Sequence, residues 1–252
     1  MGINFNYNFN IPKVSLPKVS FGQNSYVTSP LKQDSYNPDS AISKYMDESS
    51  IKSMMYSNPK VMSMLQKHGI TPNVNMAELK NLAQNHLNDT KQIALGIYNE
   101  LPEEMKSKIN KQALMDAAIL HDFGKVLIPN SILNKKGALT QEEKEIMQLH
   151  SELGYELLQT QNINPETLKL IKYHHQNARN TGYPKIQDLY EHNEAADVLR
   201  AADIYSALRE NRSYKNSLSP EQALSVINKE VSADNLNKDV YSALASYVEK
   251  TA

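Results

Sequence analysis

The sequence predicts an all-α helical bundle with a short helical extension and an extended tail at its N-terminus. From Ala41 onward, apolar residues recur at the spacing of an α-helix. Motifs that start helices, built on Thr, Asn, Ser or Pro, recur between these segments, and no run after Ala41 alternates as a half-buried strand does. With 252 residues and 40 % hydrophobic side chains, the chain is long enough to bury a core.

Residues 1–40 are predicted to form an extended or disordered tail. Asn alternates with aromatic residues over Asn4–Asn10, and a Pro-Lys-Val-Ser unit occurs twice over 12–20. Such a composition buries too little apolar area to offset the entropy of ordering the chain. The alternation would also suit a strand added to a partner or to the surface of the chain itself.

Residues 41–75 are predicted to form a short helical extension. One helix is expected over 42–57, and Pro59 starts a second that continues through Leu65 and stops near Gly69. This region is too short for most sensory domains. We therefore expect it to cap the bundle or to contact a second copy of the chain or a signalling partner.

Residues 76–252 form the predicted main domain. Thr140 and Glu143 make a capping box, in which each side chain bonds the backbone of the other residue. Asn164, followed by Pro165, is a second helix start. The predicted helical ranges are 76–101, 103–120, 140–159, 165–175, 193–210, 220–230 and 236–250.

Composition excludes several classes of function. Lys and Arg total 27 and Asp and Glu total 28, so the net charge is −1, and the bulk basic charge that a DNA or RNA polymer requires is absent. The sequence contains no cysteine, which excludes disulfides, thiolate zinc sites, iron–sulfur clusters and cysteine nucleophiles. No stretch is long and apolar enough to insert into a membrane, and the N-terminus lacks a secretory pattern, so we expect a cytoplasmic protein.

Histidines and aspartates on separate predicted helices are the main functional signal. Each one alone would more often be a hydrogen-bonded buried group. Together they predict one inward-facing metal site of imidazole and carboxylate ligands, which suits Fe, Mn, Co, Ni or Zn. The candidate residues are His86, His121, Asp122, His150, His174, His175 and Asp203.

Three strings resemble a known family. They are AAILHDFGKVLIPNSILNKKGALTQEEKEIMQLHSELGYELL, HHQNARNTGYP and VLRAADIYSALRENRSYKNSLSPEQAL, and the similarity extends over about residues 80–225. The chain resembles the HD-domain metal-dependent phosphohydrolases, specifically the HD-GYP branch of cyclic dinucleotide phosphodiesterases. The resemblance therefore implies an HD-domain helical bundle, and the tripeptide Gly-Tyr-Pro at 182–184 is the one that names the branch.

The resemblance implies a role for each matching residue. His121 and Asp122 are the signature pair, and Asp122 is expected to bridge two metal ions. His86 and Asp203 would complete the ligands of the first ion. The second ion would be held by His150, His174 and His175.

The resemblance also implies how substrate is bound. Lys125 would contact a substrate phosphate, and Tyr183 would either stack on a purine or anchor its loop. Arg212 and Lys215 match a basic pair that contacts the cyclic dinucleotide. Lys at 215 replaces the more usual Arg, which keeps the charge but loses bidentate phosphate recognition.

Two departures from the family pattern limit what is implied. Leu82 stands where members with three metal ions carry Glu, and Glu78 is two helical turns from His86, so we expect two ions. The usual HHERWDGSGYP is replaced by HHQNARNTGYP, so the metal ligands are retained while the loop has changed. Arg179 in this loop is interpreted as an exposed residue rather than a phosphate contact.

Local backbone roles are expected from the same motifs. Gly124 is expected to let the chain turn after the His-Asp pair, and Gly182 to adopt a positive φ in a turn whose exit Pro184 fixes. His192 matches nothing in the family pattern and is interpreted as an ordinary surface or helix-end residue.

The implied function is hydrolysis of a cyclic dinucleotide, with cyclic di-GMP first, to a linear dinucleotide or mononucleotides. The implied cofactors are two divalent metal ions, with Fe or Mn before Zn, Ni, Co or Mg. Two alternatives remain open: an HD phosphohydrolase for another nucleotide phosphoester, and a catalytically weak, metal-containing signalling or binding module, which the changed 176–181 loop favours.

Overall fold

The computed structural model describes residues 47–84, 86–186, 190–210 and 217–251. Over these residues the chain is helical and contains no strand, which confirms the predicted all-α class. The predicted tail over 1–40 and the first residues of the predicted helical extension lie outside the described residues.

The described helices are numbered here in chain order. They are α1 (Glu48–Ser57), α2 (Pro59–Lys67), α3 (Met76–Gln84), α4 (His86–Glu100), α5 (Glu103–Lys106), α6 (Lys111–Leu120), the 3-10 helix η1 (Phe123–Leu127), α7 (Asn130–Leu133), α8 (Gln141–Leu158), α9 (Pro165–Tyr173), α10 (Glu194–Arg209), α11 (Pro220–Ser232) and α12 (Lys238–Thr251).

The predicted start of α8 is confirmed at atomic detail. The Glu143 backbone N–H donates to Thr140 Oγ1 at 3.2 Å, and the Thr140 N–H donates to Glu143 Oε2 at 2.7 Å. The start of α9 is also as predicted, with Asn164 Oδ1 accepting from the Glu166 N–H at 2.8 Å. These local signals therefore set the first residues of α8, which contains His150, and of α9, which is followed by His174 and His175.

The prediction of a single helix over 103–120 is wrong. The structure divides it into α5 and α6, because Asn110 has extended backbone angles and caps α6 by accepting from the Ala113 N–H at 3.1 Å. The predicted helix over 76–101 is described as α3 and α4 on either side of residue 85, which lies outside the described residues.

Helix α4 lies at the centre of the bundle. It packs against α6, α10 and α12, while α8 packs against η1 and α9. Fully buried side chains fill the interior between them, including Ile97, Leu114, Leu157, Ile171 and Leu199. This packing brings the inner faces of α4, α6, α8, α9 and α10 around one interior region.

The first two helices are attached to α8, the helix that contains His150. Asn58 Nδ2 donates to the Glu156 carbonyl at 2.8 Å, and Lys60 Nζ lies 2.6 Å from Glu156 Oε1. Because Glu156 is buried, its ion pair with this lysine offsets part of the cost of removing the carboxylate from water. The predicted boundaries of the tail, extension and main domain stay predictions. In the described ranges, every helix is too short or too polar to cross a bilayer.

Candidate metal centre

Seven buried side chains from five helical regions meet in the interior. Each of these residues is at most 3 % exposed. The packing of α4 against α10 and α6, and of α8 against η1 and α9, brings them together. They are His86 on α4, His121 and Asp122 between α6 and η1, His150 on α8, His174 and His175 after α9, and Asp203 on α10.

The seven form two groups. One group consists of His86, His121 and Asp203. The other consists of Asp122, His150, His174 and His175. Within each group, one donor atom per residue lies within 4.8 Å of every other, the spacing that a single metal ion requires.

Asp122 connects the two groups through its separate oxygens. Its Oδ2 lies 3.4 Å from His86 Nε2 and 3.5 Å from His121 Nε2. Its Oδ1 lies 3.3 Å from His150 Nε2 and 4.0 Å from His174 Nε2. One carboxylate therefore faces both groups.

Backbone carbonyls determine which ring nitrogen carries the proton. The Nδ1–H groups of His121, His150 and His174 each donate to the carbonyl three residues earlier, at 2.9, 2.7 and 2.7 Å. A carbonyl oxygen can only accept, so Nδ1 carries the proton and Nε2 presents a lone pair to the interior. This is the tautomer and orientation of a metal-binding histidine.

The donor set fits divalent metal ions. His150 Nε2 and His174 Nε2 lie 3.2 Å apart, and both have their proton on the opposite nitrogen. In the other group, His121 Nε2 and Asp203 Oδ1 are buried without a hydrogen bond. Buried acceptors that face each other are costly, and a cation between them removes that cost.

Burial keeps one group of histidines neutral. It lowers the pKa of His150 to about 3 and that of His174 to about 4, and it lowers the pKa of His175 well below the ordinary value. Burial raises the pKa of Asp203, but the neighbouring imidazoles of His121 and His86 outweigh it and hold the pKa well below the ordinary value. Neutral imidazoles and an ionised carboxylate are the forms that bind metal ions.

His86 differs from the other histidines. Burial lowers its pKa, but Asp122 and Asp203 outweigh burial and raise the pKa to about 9. Its Nδ1 shares a hydrogen bond of 3.2 Å with Ser206 Oγ, a hydroxyl that can donate or accept. A metal ion bound here has to displace a proton, and Ser206 can stay bonded to the ring before and after.

Two predicted substrate residues border the cluster. Lys125 is 4 % exposed, and its Nζ lies 2.6 Å from Asp122 Oδ2. The ring of Tyr183 lies 4.5 Å from that of His175, measured between centroids. The other two predicted substrate residues, Arg212 and Lys215, lie outside the described residues.

The positive φ expected at Gly182 is wrong. Neither Gly124 nor Gly182 has a positive φ. A Cβ on Gly124 would lie 2.0 Å from the His150 carbonyl oxygen, and one on Gly182 would lie 2.0 Å from that of His175. Glycine is needed at both positions because its backbone lies directly against the backbone of a candidate ligand histidine, which leaves no space for a side chain.

The sequence analysis did not identify the residues that hold the candidate ligand histidines in place. Ser206 lies three residues after Asp203 on α10, so helical spacing could have indicated its place on the same face. Arg200 donates from Nη1 to the His175 carbonyl at 3.4 Å and from Nη2 to Glu230 at 2.8 Å, a contact with no local signal. His192 is at a helix start as interpreted, but it is mostly buried and lies 2.9 Å from Asp197.

The fold and the site define a helical domain built around a buried centre of histidine and aspartate. The sequence profile of the HD domain matches residues 74–239, more than half of the chain. The chain belongs to the HD-domain family, whose phosphohydrolases depend on metal ions. This confirms the family that the sequence motifs indicate.

Curated relatives agree with the HD-GYP branch. A "Cyclic di-GMP phosphodiesterase response regulator RpfG" of Xanthomonas campestris pv. campestris is 37 % identical over 113 residues, 44 % of this chain and 30 % of the relative. A "3'3'-cGAMP-specific phosphodiesterase 2" of Vibrio cholerae is 35 % identical over 43 % of this chain and 21 % of the relative. The matched regions thus span less than a third of either relative.

A solved structure supports the fold. An HDG"Y"P protein from Bdellovibrio bacteriovorus is similar with a TM-score of 0.52 and 13 % identity, over 84 % of this chain and 66 % of the other. At this identity the likeness supports the helical architecture alone.

Proposed function

We propose that the chain is a metal-dependent phosphodiesterase that hydrolyses a cyclic dinucleotide to a linear dinucleotide or mononucleotides. Cyclic di-GMP is the first candidate substrate. The observation that carries the proposal is the pair of buried ligand groups joined by Asp122. The similarity to cyclic dinucleotide phosphodiesterases supports the substrate class.

The proposed cofactors are two divalent ions. Fe and Mn are the preferred candidates, and Zn, Ni, Co and Mg are the alternatives. His86, His121 and Asp203 would hold one ion, the three remaining histidines the other, and Asp122 would contact both. When bound, such ions supply Lewis acidity toward a phosphate and a nucleophilic water at neutral pH. The carbonyl bonds to Nδ1 keep the rings oriented, and the burial of the ligands excludes competing water.

Lys125 is proposed as the catalytic cation of the protein itself. Its buried ammonium contacts Asp122, so it is held beside the proposed position of the reacting phosphate. A fixed positive charge in a buried site stabilises the charge that develops on the phosphoryl oxygens. Tyr183, Arg212 and Lys215 are proposed to bind the dinucleotide.

The proposal also includes a cytoplasmic location and a contact of residues 1–75 with a second copy or a signalling partner. Two competing functions have specific support. The relative named for cGAMP favours another cyclic dinucleotide as substrate. The changed 176–181 loop favours a weakly catalytic binding module.

A product assay tests the proposal. Purified chain is loaded anaerobically with Mn²⁺ or Fe²⁺ and incubated with cyclic di-GMP, 3'3'-cGAMP and a simple aryl phosphodiester, and the products are separated by chromatography. We expect linear dinucleotide from a cyclic substrate, and none from an Asp122→Ala variant. Cleavage of the aryl ester alone would contradict the substrate, and tight binding of cyclic di-GMP without cleavage would favour the binding module.

A further inference from the structure

Two adjacent buried amides organise the loop over 176–184. We propose that Gln176 is a positioning residue that fastens this loop against His175 and thereby fixes Tyr183 beside the metal centre. The effect on substrate affinity rests on the proposed function, whereas the fastening of the loop does not.

Gln176 bonds both ends of the Gly-Tyr-Pro segment. Its Oε1 accepts from the Gly182 N–H at 3.1 Å, and its Nε2 donates to the Pro184 carbonyl. The side chain is buried, with the residue 1 % exposed. Gly182 offers a donor and Pro184 an acceptor, so an amide satisfies both, whereas an ionised carboxylate can only accept.

Asn177 organises the remainder of the loop. Its Oδ1 accepts from the Arg179 N–H at 3.1 Å and the Thr181 N–H at 3.0 Å, and its Nδ2 donates to Thr181 Oγ1 at 2.8 Å. These bonds lie within the stretch that departs from the usual family sequence. The changed stretch is therefore a hydrogen-bonded turn whose shape supports the Gln176 contacts.

The backbone at Gly182 connects this hydrogen-bonded loop to the metal centre. The close approach of Gly182 to the His175 carbonyl leaves no space for a Cβ, so the loop rests directly on the peptide of a metal-site histidine. Tyr183 follows, and its ring lies 4.5 Å from the His175 ring. Gln176 thus acts on Tyr183 through two backbone contacts, and neither of them involves the seven metal-site side chains.

Removal of the Gln176 amide tests the contact. Gln176→Leu removes both hydrogen bonds without adding charge, so we expect it to release the loop. Gln176→Met removes the same two hydrogen bonds and serves if the leucine variant does not fold. Gln161→Leu is the matched control, because the Gln161 side chain bonds the neighbouring Thr160 rather than the loop.

Limited proteolysis with trypsin measures the release directly. Arg179 is exposed on the loop, so cleavage after it reports how often the loop leaves its place. We expect the fragment that begins at Asn180 to form about tenfold faster in both Gln176 variants than in the native chain or the control. An unchanged rate in both variants would overturn the proposal.

Steady-state kinetics on cyclic di-GMP measure the effect on Tyr183. We expect KM to rise about tenfold in the Gln176 variants, with kcat within about twofold and the metal content unchanged. A faster cleavage after Arg179 with an unchanged KM would contradict the placement of Tyr183 by Gln176. If the native chain cleaves no cyclic dinucleotide, the proposed function fails, and the tryptic rates still decide whether Gln176 fastens the loop.

Discussion

Asp122 contacts both ligand groups because its two oxygens point in different directions from one buried position. Its Oδ2 faces His86 and His121, and its Oδ1 faces His150. Lys125 bonds the oxygen on the side of His86, so a positive charge also lies at the centre. One side chain therefore faces both groups, so we expect its loss to affect the whole site.

Ser206→Ala should weaken the group that contains His86. The hydroxyl bonds His86 Nδ1 from inside the core, so its removal frees the ring to rotate away from Asp203. Loss of such an outer hydrogen bond costs about 10–100-fold in metal affinity. Metal titration should show this loss for one ion per chain.

Thr167→Val is the matched control for that experiment. It also deletes a buried hydroxyl, one that donates to the Ala113 carbonyl at 3.2 Å, but Thr167 is not a member of the metal groups. We expect lower stability with normal metal affinity. Equal metal affinity in native protein and Ser206→Ala would contradict the role given to Ser206.

At the scale of elements, the contact between η1 and α8 positions the two groups relative to each other. Gly124 on η1 meets the His150 carbonyl and the Gly154 nitrogen on α8, so the two backbones touch. Asp122 immediately precedes η1, and His150 lies at this contact on α8. The distance between the groups therefore depends on how closely these two elements pack.

Gly124→Ala should separate η1 from α8. The added Cβ would meet backbone rather than a movable side chain, so we expect a loss of about 3 kcal/mol in the free energy of unfolding, together with weaker metal binding. Gly69→Ala is the control, because its Cβ meets nothing within 4 Å and costs only the local strain of a positive φ, about 1 kcal/mol. Equal denaturation midpoints for the two variants would count against this contact.

Local signals predicted several elements, and the structure brings together the seven residues that the sequence predicts as metal ligands. The capping box at Thr140 is one of these signals, since it involves residues within one helical turn. The division between α5 and α6 was missed because Asn110 can cap a helix or lie within one. The pairing of Ser206 with His86, 120 positions apart, and the approach of Gly124 to α8 depend on packing between elements, which no local pattern specifies.

At the scale of the whole molecule, the buried centre couples stability to pH. In the metal-free protein the folded pKa of His86, about 9, is above the unfolded value of about 6.5, so its contribution is lost as pH rises from about 6.5 to 9. The folded pKa values of His150 and His174 are about 3 and 4, below the unfolded value of about 6.5. As pH drops below about 6.5, these histidines are protonated in the unfolded chain before they are protonated in the folded chain. The free energy of unfolding therefore decreases with falling pH.

The metal-free chain should therefore be most stable near pH 6.5. Thermal unfolding of chelator-treated protein between pH 4.5 and 9 should give a maximum in Tm there, with a decrease on both sides. Each titrating histidine changes the free energy of unfolding by on the order of 1 kcal/mol per pH unit. A Tm that is constant from pH 5 to 8.5 would show that these histidines titrate as they do in the unfolded chain.

Metal analysis of the Asp122→Ala variant is the most direct test of the central claim, that one carboxylate joins two metal-binding groups. Protein purified anaerobically and reconstituted with Mn²⁺ or Fe²⁺ is analysed by mass spectrometry for metal per chain, beside Asp197→Asn, which alters a buried aspartate that pairs with His192 outside the site. We predict two ions per chain in the native protein and the control, and fewer than one in Asp122→Ala. An unchanged metal content in Asp122→Ala would contradict the account.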